Sequence, residues 1–166
     1  MDALHMIIPH CLDQIITAHR DLCSLYISSD EELTELHKAI FASQADAEDT
    51  IENWHIVCID RAPANGGKAH VLLGDSTTAR TPWPTSPLSG IDLGNHWAPT
   101  EARLLYHIVS SKVLGEPPQH HVLQMCRGLC SWRVGKFLGV FDPDHRSASA
   151  RHDIKADPNL PQGVRP

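Results

Sequence analysis

The sequence predicts an α+β fold: a small antiparallel sheet of two hairpins packed against two N-terminal helices and one C-terminal helix, followed by a disordered tail. Two segments rich in β-branched and apolar residues, "WHIVCID" and "KAHVLLGD", flank Asn65-Gly66-Gly67, whose glycines suit a hairpin loop. Outside these segments, apolar residues recur every three or four positions, which is typical of helices with one buried face.

The first strand of the sheet should be central, because its apolar side chains alternate between both faces. Ile56 and Cys58 point one way, whereas Val57 and Ile59 point the other. A strand that is apolar on both sides needs cover on both sides.

A second hairpin is predicted from "SPLSGIDL" and "RLLYHIV", joined by a turn at Gly94-Asn95. Residues 98–114 also fit a helix that begins at Thr100 and ends before Gly115. Four apolar residues there have helical spacing: Leu104, Leu105, Ile108 and Val109. The preceding turn favours a returning strand, and the helical alternative stays open.

Three helices are predicted around the sheet. The first covers residues 9–27, with an apolar stripe of Leu12, Ile15, Ile16, Leu22, Cys23 and Tyr26. The second lies in "SSDEELTELHKAIF", where Ser29 and Glu32 have the spacing of a capping box. The third begins at Pro117-Pro118, and "KFLGVF" after it is either a short edge strand or a packed extended segment.

Residues 1–141 are expected to form one α+β domain, because a chain of 166 residues suffices for a single core. Residues 142–166 contain almost no apolar side chain and four prolines. Such a segment cannot bury enough apolar surface to fold, so a flexible C-terminal tail is predicted.

Charge and targeting signals narrow the setting in which the protein acts. The formal charge of −6 argues against direct nucleic-acid binding, which rests on Lys and Arg. The N-terminus lacks the basic region and long apolar run of a signal peptide, and no apolar stretch approaches the roughly 18 to 20 residues that span a bilayer. We therefore expect a cytoplasmic protein with no membrane contact.

Twelve histidines and five cysteines make metal binding the first chemical hypothesis. Zinc takes about four converging ligands, but His55 and Cys58 lie on opposite faces of their strand. Two other pairs each supply half of a site that nothing completes: Cys126 with Cys130, and His19 with Cys23. We therefore predict no metal and no other cofactor.

Catalytic patterns are equally weak. The sequence has no Gly-x-Ser-x-Gly elbow and no catalytic-cysteine signature. His70 and Asp75 resemble an acid-base pair, but such pairings arise readily by chance in a histidine-rich chain. No catalytic residue is predicted.

Eight carboxylates within residues 30–52 form a candidate partner-binding surface, here called the acidic surface: Asp30, Glu31, Glu32, Glu35, Asp46, Glu48, Asp49 and Glu52. Such a surface can steer onto a basic partner. Acids in a first helical turn followed by a solvated linker explain the same pattern without a partner. Trp83 and Trp97 would be contact anchors if exposed; alternatively, they cap the open edge of the sheet.

Several segments resemble small uncharacterised proteins of proteobacterial genomes and mobile elements: Trp54, "HVLLGD", "RTPWPTSPLSGIDL", "WAPTEARLLYHI" and the Gly-Glu-Pro-Pro before the last helix. The resemblance covers about half the chain. It implies a small α+β protein and carries over no catalytic residue. In size, charge and lack of catalytic signals, the chain is also similar to small acidic inhibitors of bacterial defence, such as anti-CRISPR proteins.

The expected function is therefore non-enzymatic: an inhibitor or regulator that binds a protein or ribonucleoprotein complex with a basic surface. Its most specific version is a phage- or plasmid-encoded anti-defence protein. Two alternatives stay open, a small metal-dependent or hydrolytic enzyme and a transcriptional regulator with a helix-turn-helix in residues 98–132. Homodimerisation also stays open.

Overall fold

The computed structural model describes residues 8–38, 46–78, 82–109 and 114–144. Within these ranges the chain forms six strands and two α-helices. The strands are β1 (Cys23–Ile27), β2 (Asp49–Arg61), β3 (Ala69–Ser76), β4 (Pro82–Pro84), β5 (Trp97–Pro99) and β6 (Leu105–Ile108). The helices are α1 (Asp30–Lys38) and α2 (Gln119–Ser131).

The six strands form one mixed sheet with β2 at its centre. Along the sheet the order is β4-β3-β2-β6-β5, and β1 also pairs with β2. β1 and β6 share one edge of β2, because β6 pairs with Asp49–Ile51 and β1 with Val57–Arg61. β6 runs parallel to β2, whereas the other pairs are antiparallel. The prediction of an antiparallel sheet of two hairpins is therefore wrong.

The predicted N-terminal helix over residues 9–27 is also wrong. Residues 12–14 make one 3-10 turn, and Cys23–Ile27 form β1. His19 between them has φ +56°, a left-handed conformation that a continuous α-helix excludes. Beyond it, Cys23 and Leu25 are buried while Ser24 is exposed, which is the alternation of a strand.

The second helix is present as α1, and its capping box forms. Ser29 N donates to Glu32 Oε2 at 2.9 Å, and Glu32 N donates to Ser29 Oγ at 3.2 Å. These two bonds satisfy backbone donors that the first turn leaves open. Residues 39–41, the predicted end of this helix, lie outside the described residues.

The second hairpin joins different segments from those predicted. β5 pairs with β6 across a turn at residues 100–104, whereas residues 87–92 make only the isolated bridges Leu88↔Thr100 and Asp92↔Trp97. Residues 105–108 are a strand, so the helical alternative fails there. Arg103, with φ +64°, would interrupt such a helix.

Apolar layers cover both faces of the sheet, which confirms the alternation predicted for β2. On one face, Val57, Val71 and Leu73 pack against α2 and the N-terminal segment through Leu12, Ile15, Val122, Met125 and Leu129. On the other face, Ile56 and Leu72 pack under α1 and the loop before β5, through Leu33, Leu88 and Ile91. All of these side chains are buried.

A bulge interrupts the ladder between β2 and β3. The register shifts between Glu52 and His55, and Asn53 has φ +48°. Gly74 faces this bulge so closely that a Cβ would lie 2.5 Å from Ile51 Cγ2 and 2.7 Å from Glu52 O. Only glycine fits beside the irregular backbone, at the end of β3 where Asp75 follows.

After α2, the segment "KFLGVF" is not a strand but a series of turns, and Leu138 and Val140 enter the core. Most of the predicted tail, residues 145–166, lies outside the described residues. Neither helix in the described part of the chain has the length and apolar character needed to cross a membrane.

Candidate functional site

The acidic surface divides into two kinds of carboxylate. Six of its members are exposed: Asp30, Glu31, Glu35, Asp46, Glu48 and Glu52. Glu32 and Asp49 are half-buried and hydrogen-bonded within the chain, so they stabilise the fold. The predicted surface therefore keeps two exposed groups, one on α1 and one at the start of β2.

Glu32 is the centre of a network that ties α1 to the sheet. Its Oε1 accepts from Tyr26 Oη at 2.8 Å and from Lys68 Nζ at 2.9 Å, while Oε2 accepts from Ser29 N. Burial raises the pKa of Glu32, but these bonds outweigh burial and lower it to about 2. The carboxylate is thus held ionised by partners inside the chain.

Asp49 joins the start of β2 to the end of β3. It accepts bonds from Ser76 Oγ, from Thr50 N at 2.7 Å and from Thr78 Oγ1 at 2.9 Å. Burial raises the pKa of this carboxyl, and the hydrogen bonds, that from Ser76 foremost, lower it on balance. Asp49 therefore has a structural role.

The two tryptophans predicted as anchors lie on β4 and β5, which are the two edge strands of the order β4-β3-β2-β6-β5. Trp97 is half-buried, with its ring centroid 5.2 Å from that of His107. Trp83 pairs in β4 with Gly74, and its side chain lies outside what the structure describes. Trp132, which was not predicted as an anchor, is 39% exposed just after α2.

Neither Cys126 with Cys130 nor His19 with Cys23 belongs to a cluster of three ligand-type side chains among the described residues. His19 stacks on Phe137 with a centroid distance of 4.2 Å, whereas Cys23 lies in the core. Cys126 is buried in the core, and burial raises the pKa of its thiol to about 12. The prediction that His55 and Cys58 point apart is confirmed. His55 lies beside His121 of α2, whereas Cys58 lies beside Glu32 of α1, and these helices cover opposite faces of the sheet.

Two other clusters bring ligand-type atoms within 4.8 Å of one another: Glu32, Cys58 and His70, and Asp75, His120 and His121. The side chains of the first cluster are engaged with other residues of the chain. Cys58 is fully buried, and burial raises the pKa of its thiol. His70 Nδ1 is bonded to Ser28 Oγ at 2.8 Å, and burial lowers the pKa of that imidazole. This cluster is a structural network.

The second cluster, here called the His-Asp cluster, joins the end of β3 to the first turn of α2. His121 Nε2 lies 2.7 Å from Asp75 Oδ1, and His120 Nε2 lies 3.7 Å from the same oxygen. The side chain of His121 is fully buried, whereas those of Asp75 and His120 are 33% and 59% exposed. The cluster is thus anchored from inside and open to solvent on one side.

Hydrogen bonds fix the carboxylate of the His-Asp cluster. Asn53 Nδ2, on the bulge of β2, donates to Asp75 Oδ2 at 3.0 Å. Burial raises the pKa of Asp75, but the bonds from Asn53 and His121 lower it on balance. His55, fully buried, presents its ring edge-on to His121 with a centroid distance of 6.3 Å.

A third feature is an open groove of about 580 Å³ at the end of the sheet where β2 finishes and α2 ends. Its walls are mostly apolar and include Leu22, Ile59, Leu129, Trp132, Val134 and Phe137. This is the size range of ligand-binding clefts. We call it the apolar groove.

One charged side chain lines the apolar groove. It is Arg61, and no carboxylate is among the described residues that line this groove. Arg61 Nε donates to Gly67 O at 3.1 Å, which holds the guanidinium beside the glycine loop. The charged sequence neighbours of the lining residues carry both signs: Arg133 and Lys136, which are exposed, and Asp21 and Asp60. In the part of the chain that the structure describes, the charge that lines this groove is thus the guanidinium of Arg61.

The sequence carried signals for both features. The strand parity that separates His55 from Cys58 also separates His70 from Asp75, which frees Asp75 for another partner. His120 and His121 are adjacent in sequence and come one residue after Pro117-Pro118, at the predicted start of a helix. In "CSWRVGKFL", Trp132 is followed by Arg133, and Phe137 is preceded by Lys136. Aromatic residues beside cations indicate a surface position more than a core position.

Comparisons with known protein families, with curated proteins and with solved structures found no match to this chain.

Proposed function

We propose that this protein acts by binding another protein, and that the apolar groove is its main contact surface. One observation carries the proposal. Four of the eight exposed large hydrophobic side chains in the described residues line this groove: Leu22, Trp132, Val134 and Phe137. Contiguous exposed apolar surface marks interaction sites, and a tryptophan at its rim is a common binding anchor.

The occupant we infer is a segment of a partner protein with apolar side chains and a nearby carboxylate. The apolar walls favour the apolar side chains by the area they remove from water. Arg61, the charged lining residue, offers a planar guanidinium that pairs with carboxylates. A small apolar carboxylate would use the same chemistry, but a groove with Phe137 55% exposed extends onto the surface as macromolecular contacts do.

The acidic surface is a second candidate contact, for a partner that also carries a basic region. Its support is that six of its eight carboxylates are exposed, on α1 and at the start of β2. Charges at the rim of an interface accelerate association more than they add affinity. The more specific role of an anti-defence inhibitor rests on the likeness in size and charge and is part of this proposal.

The test compares capture of partners from a bacterial lysate by the whole chain and by two single variants. Phe137→Asp places a carboxylate at the mouth of the groove, where it repels an acidic segment. Leu114→Asp is the matched control, since Leu114 is 85% exposed and outside the groove. We expect one or more proteins to be retained by the wild type and by Leu114→Asp and lost with Phe137→Asp.

Equal capture by all three chains would contradict the groove as the contact surface. Release of a small molecule from the wild-type chain on denaturation, with no captured protein, would instead favour the small carboxylate. For the acidic surface, Glu31→Lys with Glu48→Lys should slow association at low salt. The control Glu101→Lys with Glu116→Lys changes net charge equally at exposed positions outside the acidic surface and outside the residues that line the groove.

A further inference from the structure

We propose that Asp75, His120 and His121 form a three-ligand site for a divalent transition-metal ion. The fold assembles this site from distant positions, since Asp75 ends β3 and the two histidines open α2. The bulge of β2 places Asn53 against Asp75, so that Asn53 holds the carboxylate from the side away from the histidines' ligand atoms by a bond to Oδ2. The inference does not depend on the apolar groove, which lies at the other end of α2.

The distances suit a tetrahedral ion. Nitrogen and oxygen ligands bind zinc at about 2.0 to 2.1 Å, which places neighbouring ligand atoms about 3.3 Å apart. The separations from Asp75 Oδ1 are 2.7 Å to His121 Nε2 and 3.7 Å to His120 Nε2, which bracket that value. All three ligand atoms lie within 4.8 Å of one another. Small side-chain rotations therefore suffice to receive an ion.

The donor set selects the class of metal. Two imidazoles and one carboxylate suit zinc, iron, cobalt or nickel, whereas calcium and magnesium prefer oxygen donors alone. The partial exposure of Asp75 and His120 gives an ion access from solvent, and three ligands leave a coordination position open. Glu52, an exposed carboxylate, is in register with Asp75 across the β2–β3 pair.

The proton on the His121 ring does not prevent Nε2 from binding a metal ion. Because an ionised Asp75 carboxylate can only accept, His121 Nε2 carries the proton of this bond, and Nδ1 is buried without a hydrogen-bond partner among the described residues. When Nε2 binds a metal, the neutral imidazole carries its proton on Nδ1 instead. Nδ1 has no partner among the described residues in either tautomer. Metal binding therefore replaces the His121–Asp75 hydrogen bond with two bonds to the ion, one from Nε2 and one from Oδ1.

One feature opposes a cation here, namely the positive end of α2. A helix terminus changes the binding of a nearby charge by about fivefold at an exposed position. The Asp75 carboxylate offsets that effect, and its orientation is already fixed by Asn53. Loss of one of three metal ligands changes affinity by far more than fivefold.

The experiment titrates the full chain, purified in chelator and dialysed, with Zn²⁺ against a chromophoric competitor. We expect one Zn²⁺ per chain, with affinity at least about tenfold weaker in His120→Ala and in Asp75→Asn. His10→Ala removes an exposed imidazole outside the cluster and should leave affinity unchanged. His120 is exposed, so His120→Ala should fold, and circular dichroism checks this.

A second readout uses Co²⁺, whose visible absorption reports low coordination by protein ligands. Strong absorption in the wild type and in His10→Ala, lost in His120→Ala, would support the site. Less than about one Zn²⁺ per several chains, or equal affinity in folded His120→Ala and wild type, would overturn the proposal. Failure here leaves capture through the groove unaffected, so the two proposals fail separately.

Discussion

Nε2 of His121 lies 2.7 Å from Oδ1 of Asp75, and this bond fastens the first turn of α2 to the end of β3. The imidazole is fully buried and the carboxylate one-third exposed, so the contact spans the boundary between core and solvent. The same α2 supplies Val122, Met125 and Leu129 to the core and ends beside Trp132 at the groove. One helix thus links the His-Asp cluster at its first turn to the groove at its last turn.

Replacing Asp75 with Ala should lower the free energy of unfolding by about 2 kcal/mol, because His121 would then be a buried imidazole without its charged acceptor. Urea unfolding in the presence of a chelator measures this without interference from metals. Glu101→Ala, at an exposed carboxylate, is the control and should change stability by less than about 0.5 kcal/mol. Equal effects of the two substitutions would show that the Asp75–His121 bond contributes nothing to the fold.

The Glu32 network should make stability depend on acidity. The pKa of Glu32 is lowered from 4.5 to about 2 in the folded chain, so the unfolded chain binds its proton first as the pH falls. The stabilisation is complete above pH 4.5 and is lost as the pH falls towards 2. Urea unfolding of wild type and Glu32→Gln should differ by about 2 kcal/mol at neutral pH and converge at the acid end.

The control for that titration is Glu31→Gln, one residue away on the exposed side of α1. Its difference from wild type should stay small and constant across the same range. If wild type and Glu32→Gln lose stability in parallel on acidification, the bonds from Tyr26, Lys68 and Ser29 do not hold the carboxylate as the geometry implies.

Gly74→Ala should destabilise the chain by about 1 to 3 kcal/mol, because the added methyl would lie 2.5 Å from Ile51 Cγ2 and 2.7 Å from Glu52 O. Thermal or urea unfolding measures the loss. Gly94→Ala is the matched control, since a Cβ there would meet only Asp92 Oδ1 at 3.4 Å. A Gly74→Ala chain as stable as wild type would mean that the bulge at Glu52–His55 can relax freely.

The cysteines should differ sharply in reactivity. Cys58 and Cys126 are fully buried, and burial raises the pKa of both thiols, so neither offers a thiolate at neutral pH. Iodoacetamide followed by peptide mass mapping should label Cys11, which is partly exposed, well before these two. Rapid labelling of Cys58 in the folded chain would reopen a nucleophilic role.

Local patterns predicted some elements of the fold and missed its connections. The capping box at Ser29 and Glu32 and the alternation along β2 follow from near neighbours, and both are present. The parallel pairing of Asp49 with Tyr106 depends on residues far apart in sequence, for which one chain gives no local signal. The N-terminal helix failed because its stripe combined residues on either side of His19, where the backbone turns left-handed.

The candidate sites show the same division. Glu32 and Asp49 were predicted as surface carboxylates. The sequence gives no sign that Lys68 donates a hydrogen bond to Glu32 or that Ser76 donates one to Asp49. Asp75 and His121 are 46 residues apart, and only the packing of α2 on the sheet brings them together. Strand parity could have separated Asp75 from His70, but it could not have named His121 as the partner.

The most direct test of partner binding through the apolar groove is hydrogen–deuterium exchange of the whole chain with and without its captured partner. We predict slower exchange in the segments that line the groove, residues 22–23 and 129–138, when the partner is bound. Unchanged exchange in both segments, with protection confined to residues 30–38 and 46–52, would contradict the groove and favour the acidic surface.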